Sequence, residues 1–174
     1  NNHTGIVILE DDRCVLKGIV KSDEEILRSI NDFVKNKPVR IAIDAPLTVP
    51  NENGSRPAEQ ELNKEFRAYE AGAHPANRSW FLKSSKCIRG EELVEKLEAR
   101  GIVHDPSLSA QRCCFEVYPH PATIRLFDLE KTLKYKPRSK RSYDQRWSAF
   151  ETYQQHLQEL GIKDVDELLS TNVR

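Results

Sequence analysis

Apolar positions alternate with polar ones at the start of the chain, then change period. "TGIVILE" (4–10) and "RCVLKGIVK" (13–21) read as strands separated by "DDR", an acidic turn suited to a hairpin. Ser22 and Glu25 have the spacing of a capping box, and the segment after them carries Ile26, Leu27, Ile30, Phe33 and Val34 at helical spacing. "NKP" ends that helix. In "VRIAIDAPLTVP" (39–50), Val39, Ile41, Ala42 and Ile43 form a continuous run, which predicts a strand buried on both faces. Asp44 then stands at the end of the strand, and Pro46 stops the ladder. Two strands, a helix and a further buried strand predict a mixed α/β sheet. The helix is a crossover if the last strand runs parallel to one of the first two.

Residues 51–80 change character. "NENGSRPAEQELNKEF" starts as a loop and becomes a charged helix, and "YEAGAHPANRSWF" returns to loop. "GEELVEKLEAR" (90–100) is an amphipathic helix with Leu93, Val94 and Leu97 inward and Gly101 as its stop. "RCCFEVYPHPATIRLF" reads as a strand ended by Pro119, then a helix entering at "HPAT" with Pro121 in its first turn. A polar helix over "YDQRWSAFETYQQHLQEL" ends at Gly161, and "KDVDELL" is a short terminal helix. No repeat or linker divides the chain. The expectation is one domain over 1–174 with a loop/helix insertion at about 51–80.

Composition removes possibilities more than it adds them. Lys plus Arg number 27 and Asp plus Glu number 27, so bulk charge selects no partner. The four cysteines, Cys14, Cys87, Cys113 and Cys114, show no zinc spacing; reduced thiols in a cytoplasmic protein are the simplest reading. No stretch approaches the roughly 18 apolar residues of a membrane span. The chain has no methionine and begins abruptly, so it is expected to be truncated at both ends.

The second buried strand repeats the device of the first. In "CCFEVYP", Cys114, Glu116 and Tyr118 share one face, and Glu116 precedes a proline much as Asp44 does. Ligands of open α/β sheets collect beyond the carboxyl ends of the strands, where both acids lie if the strands are neighbours. Two carboxylates there suit Mg²⁺ or Mn²⁺, which keep waters and take a phosphate oxygen. The plain alternative for Asp44 is a turn residue bonded to nearby backbone. His120 is close enough to Glu116 for a proton shuttle, against a surface or capping role.

"IDAPL", "GSRPAEQELNK", "GAHPANR", "FEVYPHPAT" and "LKYKP", in that order, resemble the DUF429 family, predicted nucleases with a ribonuclease-H-like (RNase H-like) fold. The resemblance covers Thr4 to about Tyr153. It implies an RNase H-like mixed β-sheet flanked by helices, with Asp44 and Glu116 as two of its metal-binding, catalytic acids. Members of the family usually open on a strand carrying "G-[IV]-D" and close on a helix with an aspartate before alanine; neither is present in this sequence.

From Lys131 to Arg146 seven positive residues face one acid, Asp144, a local charge of about +6 in a chain that totals zero. With Tyr135, Tyr143 and Trp147 interleaved, the run suits a phosphate backbone and stacked bases, the alternative being a solvated loop. Lys134 and Lys136 lie nearest the family motif. Arg56 and Glu59, where a loop meets a helix N-terminus, and Arg78 in "HPANR" complete the candidate substrate contacts. Two functions follow as expectations. One is metal-dependent phosphodiester hydrolysis on nucleic acid. The other is a non-catalytic module of the same fold that binds nucleic acid or protein through the basic run.

Overall fold

The computed structural model describes residues 3–139 and 141–164. The chain is mixed α/β and divides into two compact units. One holds the described residues up to Ile26 and from Leu133 onward; the other is Leu27–Thr132.

In the first unit, β1 (Thr4–Glu10) and β2 (Arg13–Val20) pair antiparallel, from Thr4 opposite Val20 to Glu10 opposite Arg13. Asp11, at a φ of 54°, makes the tight turn, as aspartate can at small cost. The expected hairpin is therefore present. α1 (Asp23–Val34) runs across the division between the units. Ser22 Oγ accepts from the Glu25 N–H at 3.2 Å, while the Glu25 carboxylate accepts from the Lys21 N–H at 2.7 Å. The carboxylate thus reaches one residue farther back than the usual capping box. Ile26, Leu27, Ile30 and Val34 are buried; Phe33 lies at the margin of that stripe and is 38% exposed, against expectation.

The second unit is built on β3 (Val39–Ile43). After it come α2 (Pro57–Phe66), a 3-10 turn at Arg67–Tyr69, α3 (Arg78–Ser84) and α4 (Arg89–Glu98). β4 (Val103–His104), β5 (Arg112–Glu116) and α5 (Pro119–Leu126) complete it. The three strands form a parallel sheet in the order β3-β5-β4. The ladders among the described residues thus form two sheets, a two-stranded and a three-stranded one, where one mixed sheet was expected.

Three local expectations need correction. β3 is not buried on both faces: Val39, Ile41 and Ile43 are half-buried on one face, whereas Arg40 and Ala42, alternating onto the other, are exposed. The strand covered on both faces is the central β5, whose adjacent Cys113 and Cys114 are each 0% exposed although they point to opposite sides. Burial raises the Cys114 thiol above its ordinary value, so it stays protonated and inert. Residues 78–81, expected as loop, belong to α3, which Asn77 caps: its Oδ1 accepts from the Trp80 N–H at 2.9 Å. α5 enters at Pro119, one residue before the expected His120, and Pro121 lies in its first turn as expected.

Arg112, at the start of β5, ties down two helix ends. Its Nη1 donates to the carbonyls of Lys35 and Lys37 beyond α1 at 2.9 and 2.8 Å. Its Nε and Nη2 reach the Gly101 and Arg100 carbonyls beyond α4, each at 3.4 Å. A cation there meets the negative ends of both helix dipoles. Leu93, Val94 and Leu97 of α4 are buried as their spacing predicts, and Gly101 takes the left-handed φ of 71° that ends the helix. Phe66, Ala71 and Ile124 form a second cluster under Leu62, Tyr69 and Leu129.

α6 (Tyr143–Glu159) returns to the first unit and is capped by Ser142, whose Oγ accepts from the Gln145 N–H at 3.2 Å. Lys163 then bridges back to the hairpin: its N–H donates to Asp12 O at 2.7 Å and its carbonyl accepts from Cys14 N–H at 3.2 Å. Of the terminal helix expected over 163–169, the part beyond Asp164 lies outside the described residues. Among the described residues, no helix is long and apolar enough to cross a membrane.

Two stability predictions follow. At Gly90 a Cβ would stand 2.0 Å from the Pro46 carbonyl oxygen, a backbone atom with no rotamer to escape into. Gly90→Ala is expected to cost about 2–3 kcal/mol in urea unfolding. Gly5→Ala, with nothing within 4 Å, should stay within about 0.5 kcal/mol. Equal midpoints for the two variants would refute the contact.

Asp105 accepts from the Ser107 hydroxyl at 2.5 Å, the Ala110 N–H at 2.8 Å, the Ser109 hydroxyl at 2.9 Å and the Ser107 N–H at 2.9 Å. These donors, the Ser107 hydroxyl first, hold its carboxyl well below the usual carboxylate range. A depressed folded-state pKa gives stability that is full above the unfolded value, about 3.9, and is lost as pH falls through the folded one. The melting-temperature gap between wild type and Asp105→Asn should be widest near neutral pH and narrow below about pH 4. A gap independent of pH would show that the loop does not depend on the charge.

Candidate functional site

Ile43, the last residue of β3, pairs with Glu116, the last residue of β5, and the Val117 N–H continues the ladder to Ile43 O at 2.9 Å. The parallel register therefore brings Asp44 and Glu116 to the same end of adjoining strands. Strand alternation sets Glu116 beside Ile43, on the face opposite to the one the next residue would take. The chain bends at Asp44, so its direction is no longer fixed by the pleat.

The segment after the bend leaves the sheet but not the interior: Leu47 is 2% and Val49 0% exposed. Off the ladder, its backbone groups need other partners. Four are supplied by side chains. The Leu47 N–H donates to Glu116 Oε2 at 3.0 Å, and the Thr48 carbonyl accepts from Arg56 Nη1 at 2.9 Å. The Val49 N–H donates to Glu91 Oε1 at 2.9 Å, and its carbonyl accepts from Arg78 Nη1 at 2.9 Å. Each arginine is also bound to the carboxylate beside it. Arg56 forms a fork on Glu116, with Nη2 on Oε1 at 2.6 Å and Nη1 on Oε2 at 2.9 Å, and Arg78 Nη1 meets Glu91 Oε1 at 3.1 Å.

Arg56 has a second acid. Its Nε donates to Glu59 Oε1 at 2.6 Å, and Glu59 Oε2 accepts from the Arg56 N–H at 2.8 Å and the Ala76 N–H at 3.1 Å. Glu59 is only 3% exposed, and both of its oxygens are engaged. The hydrogen bond that Arg56 donates to Glu116 holds its guanidinium charged well above its ordinary range; burial opposes this and Glu59 adds to it. Asp44 differs from all of these acids. It is exposed and makes no hydrogen bond or ion pair among the described residues.

The structure thus brings together Asp44, Glu116, Arg56 and Glu59, with Arg78 one ion pair away along the same segment. Lys134 and Lys136 belong to the first unit, where both side chains are exposed. Their carbonyls accept from Arg141 Nη1 at 3.0 and 2.8 Å. Of the aromatic residues in the basic run, Tyr135 is stacked on Tyr153 at 5.4 Å, while Tyr143 and Trp147 stack on each other and stay partly exposed. His120 is packed beside the Tyr118 ring, with Nδ1 3.1 Å from Thr132 Oγ1. Glu91 was missed in the sequence, where it reads only as a first-turn helix acid. Among the described residues no group of three or more His, Cys, Asp or Glu is placed to hold a metal ion.

These features define an α/β protein whose parallel strands carry acids at their carboxyl ends, walled by a segment that two arginines fasten. The chain belongs to the family described as Protein of unknown function (DUF429), whose sequence pattern matches residues 1–171. No curated protein and no solved structure is significantly similar to it.

The fastening is testable by a double-mutant cycle. Arg56→Ala removes one partner of two carboxylates and one carbonyl, and should cost about 3 kcal/mol or more in urea unfolding. Combined with Glu116→Gln it should show a coupling energy of at least ~1 kcal/mol. Additive losses would mean that the two residues stabilise the chain independently.

Proposed function

We propose that this chain is a cytoplasmic, divalent-metal-dependent phosphodiesterase acting on nucleic acid, with an RNase H-like arrangement of its strands. Asp44 is the acid on which catalysis depends. The observation that carries this reading is the contrast at the carboxyl end of β3 and β5. Glu116 and Glu59 are each engaged by Arg56 and by backbone N–H groups, whereas Asp44, exposed as Glu116 is, makes no bond among the described residues. Three acids against one arginine leave a charge of −2 around the site, which matches one divalent cation.

The donor set fits Mg²⁺ or Mn²⁺ in the way such ions are usually held, by one or two carboxylates with waters and substrate phosphate completing the shell. Asp44 is the ligand available in the present arrangement, and Glu116 becomes the second when Arg56 turns from it to a phosphate. A bound ion would activate a water and stabilise the leaving oxygen of an in-line displacement. The guanidinium fork of Arg56 suits a phosphate as well as it suits a carboxylate, so it can take a non-bridging oxygen pair. Its Nε stays on Glu59 during that exchange, which keeps the group aimed. Arg78 holds Val49 and Glu91, and so keeps the wall of the site in place. Lys134 and Lys136 supply nucleic-acid backbone contacts through the basic run.

The alternative is a module that binds nucleic acid without cutting it. It is favoured by the engagement of both Glu116 oxygens within the protein. Labelled DNA, RNA and hybrid substrates, incubated with and without Mg²⁺ or Mn²⁺, separate the two. The hydrolase reading expects metal-dependent cleavage that Asp44→Asn lowers at least ~100-fold in kcat/KM. Unfolding free energy should move less than about 0.5 kcal/mol, as for other exposed positions. Binding without cleavage in any divalent ion leaves the module reading. An Asp44→Asn protein that fails to fold makes Asp44 a structural turn residue.

A further inference from the structure

The first unit contains a cleft of about 950 Å³ between the loop after Leu133 and the first turns of α6. Among the described residues Lys134, Arg138 and Arg141 line it, with Ser139 and Ser148 hydroxyls and one acid, Asp144. These three cations and one acid sum to a charge of +2. The two arginines are placed differently. Arg141 is half-buried, and its Nη1 is occupied by the Lys134 and Lys136 carbonyls. Its Nε and Nη2 have no partner among the described residues. Arg138 is exposed and its guanidinium makes no bond among them. At the start of α6 the cap satisfies the Gln145 N–H, while the N–H groups of Tyr143 and Asp144 have no partner among the described residues. Open N–H groups at the positive end of a 17-residue helix add to the same field.

The charge and the size together select a ligand. A net +2 matches a phosphomonoester, which carries about −1.5 to −2 near neutral pH, better than a phosphodiester, which carries −1. The volume lies within the roughly 300–1,000 Å³ of small-molecule sites, so a phosphate alone leaves most of it unfilled. We propose that this cleft seats the terminal phosphomonoester of a nucleotide or of a nucleic-acid strand end, between Arg138, Arg141 and the open N–H groups of α6. Arg141 is a positioning residue as well as a contact, because the same guanidinium shapes the loop. The inference rests on the nucleic-acid part of the proposed function and not on Asp44.

The experiment titrates the full chain with a short oligonucleotide bearing a 5′-phosphate, a 3′-phosphate or neither, and with a nucleoside monophosphate. Metal is omitted so that binding is read without cleavage. A terminal phosphate should tighten oligonucleotide binding about tenfold, and Arg138→Gln should remove that gain, the size of one charged hydrogen bond. The same variant should lower the salt slope by about one. Asp144→Asn should act in the opposite direction and tighten binding roughly two- to fivefold, by removing the one opposing charge. Arg138-dependent binding of the nucleoside monophosphate identifies a free nucleotide as a ligand; its absence, with the oligonucleotide gain intact, identifies a strand end. Equal affinity for phosphorylated and unphosphorylated oligonucleotides, or a gain that survives Arg138→Gln, overturns the cleft. That result would leave metal-dependent cleavage at Asp44 standing, and loss of cleavage with the discrimination intact would do the reverse.

Discussion

Burial of the backbone after β3 is the constraint on which the rest of the second unit depends. Leu47 and Val49 are drawn into the interior, a gain of about 1.5–3 kcal/mol for each side chain. That gain would be cancelled by four unsatisfied peptide groups at about 1–3 kcal/mol apiece. Among the described residues no strand pairs with residues 47–49, and Glu116, Arg56, Glu91 and Arg78 supply the partners. Each carries a charge that would itself be costly inside, and each is matched by an opposite charge. The positions of α2, α3 and α4 follow from this requirement. Arg56 is the residue before α2, Arg78 opens α3, and Glu91 lies in the first turn of α4. Gly90 then lets α4 approach the Pro46 carbonyl closely enough for Glu91 to reach the Val49 N–H.

This arrangement explains which parts of the molecule were readable from sequence. α4 was legible because Leu93, Val94 and Leu97 carry the helical period and Gly101 the stop. The shared end of β3 and β5 was legible because each apolar run closes on an acid and a proline. α3 was not, since Trp80 and Leu82 stay exposed and leave no buried stripe to give it a period; its one local signal is the Asn77 cap. β3 was misread because a continuous apolar run does not say which strand is central. The roles of Arg56 and Glu116 were the least legible, because sixty residues separate two side chains that meet only once the sheet exists. Read singly, an arginine before a helix and an acid after a strand look like ligand contacts. Folded, they bind each other.

The first unit follows a different logic. Its hairpin closes through Asp11, and Lys163 returns to it through two backbone bonds and an ion pair with Asp12 at 2.8 Å. Between these, Arg141 is held by the carbonyls of Lys134 and Lys136, and the Arg138 guanidinium makes no bond among the described residues. Arg56 and Arg78 of the second unit are instead paired with carboxylates. The same residue type thus serves two ends, set by whether an acid is within reach. Charge counting finds the local excess of residues 131–146 but not which of its cations have an acid within reach.

A site that needs Glu116 for both structure and chemistry faces a conflict. While Arg56 holds both oxygens, the segment over β3 is secure and Glu116 has little left for a ligand. If Arg56 simply left, a partly buried carboxylate and the Thr48 carbonyl would both lose their partner. The double anchoring of Arg56 offers a way through. Its Nε is fixed on Glu59, which is itself pinned by the Arg56 and Ala76 N–H groups. The guanidinium can then rotate its fork from one oxyanion to another without losing its place. Under the proposed function, a phosphate arriving at Arg56 and a cation arriving at Glu116 would each compensate the charge that the other leaves behind, so their binding would be coupled and each would favour the other. Asp44, which makes no bond among the described residues, would pay no such cost and would take the cation first.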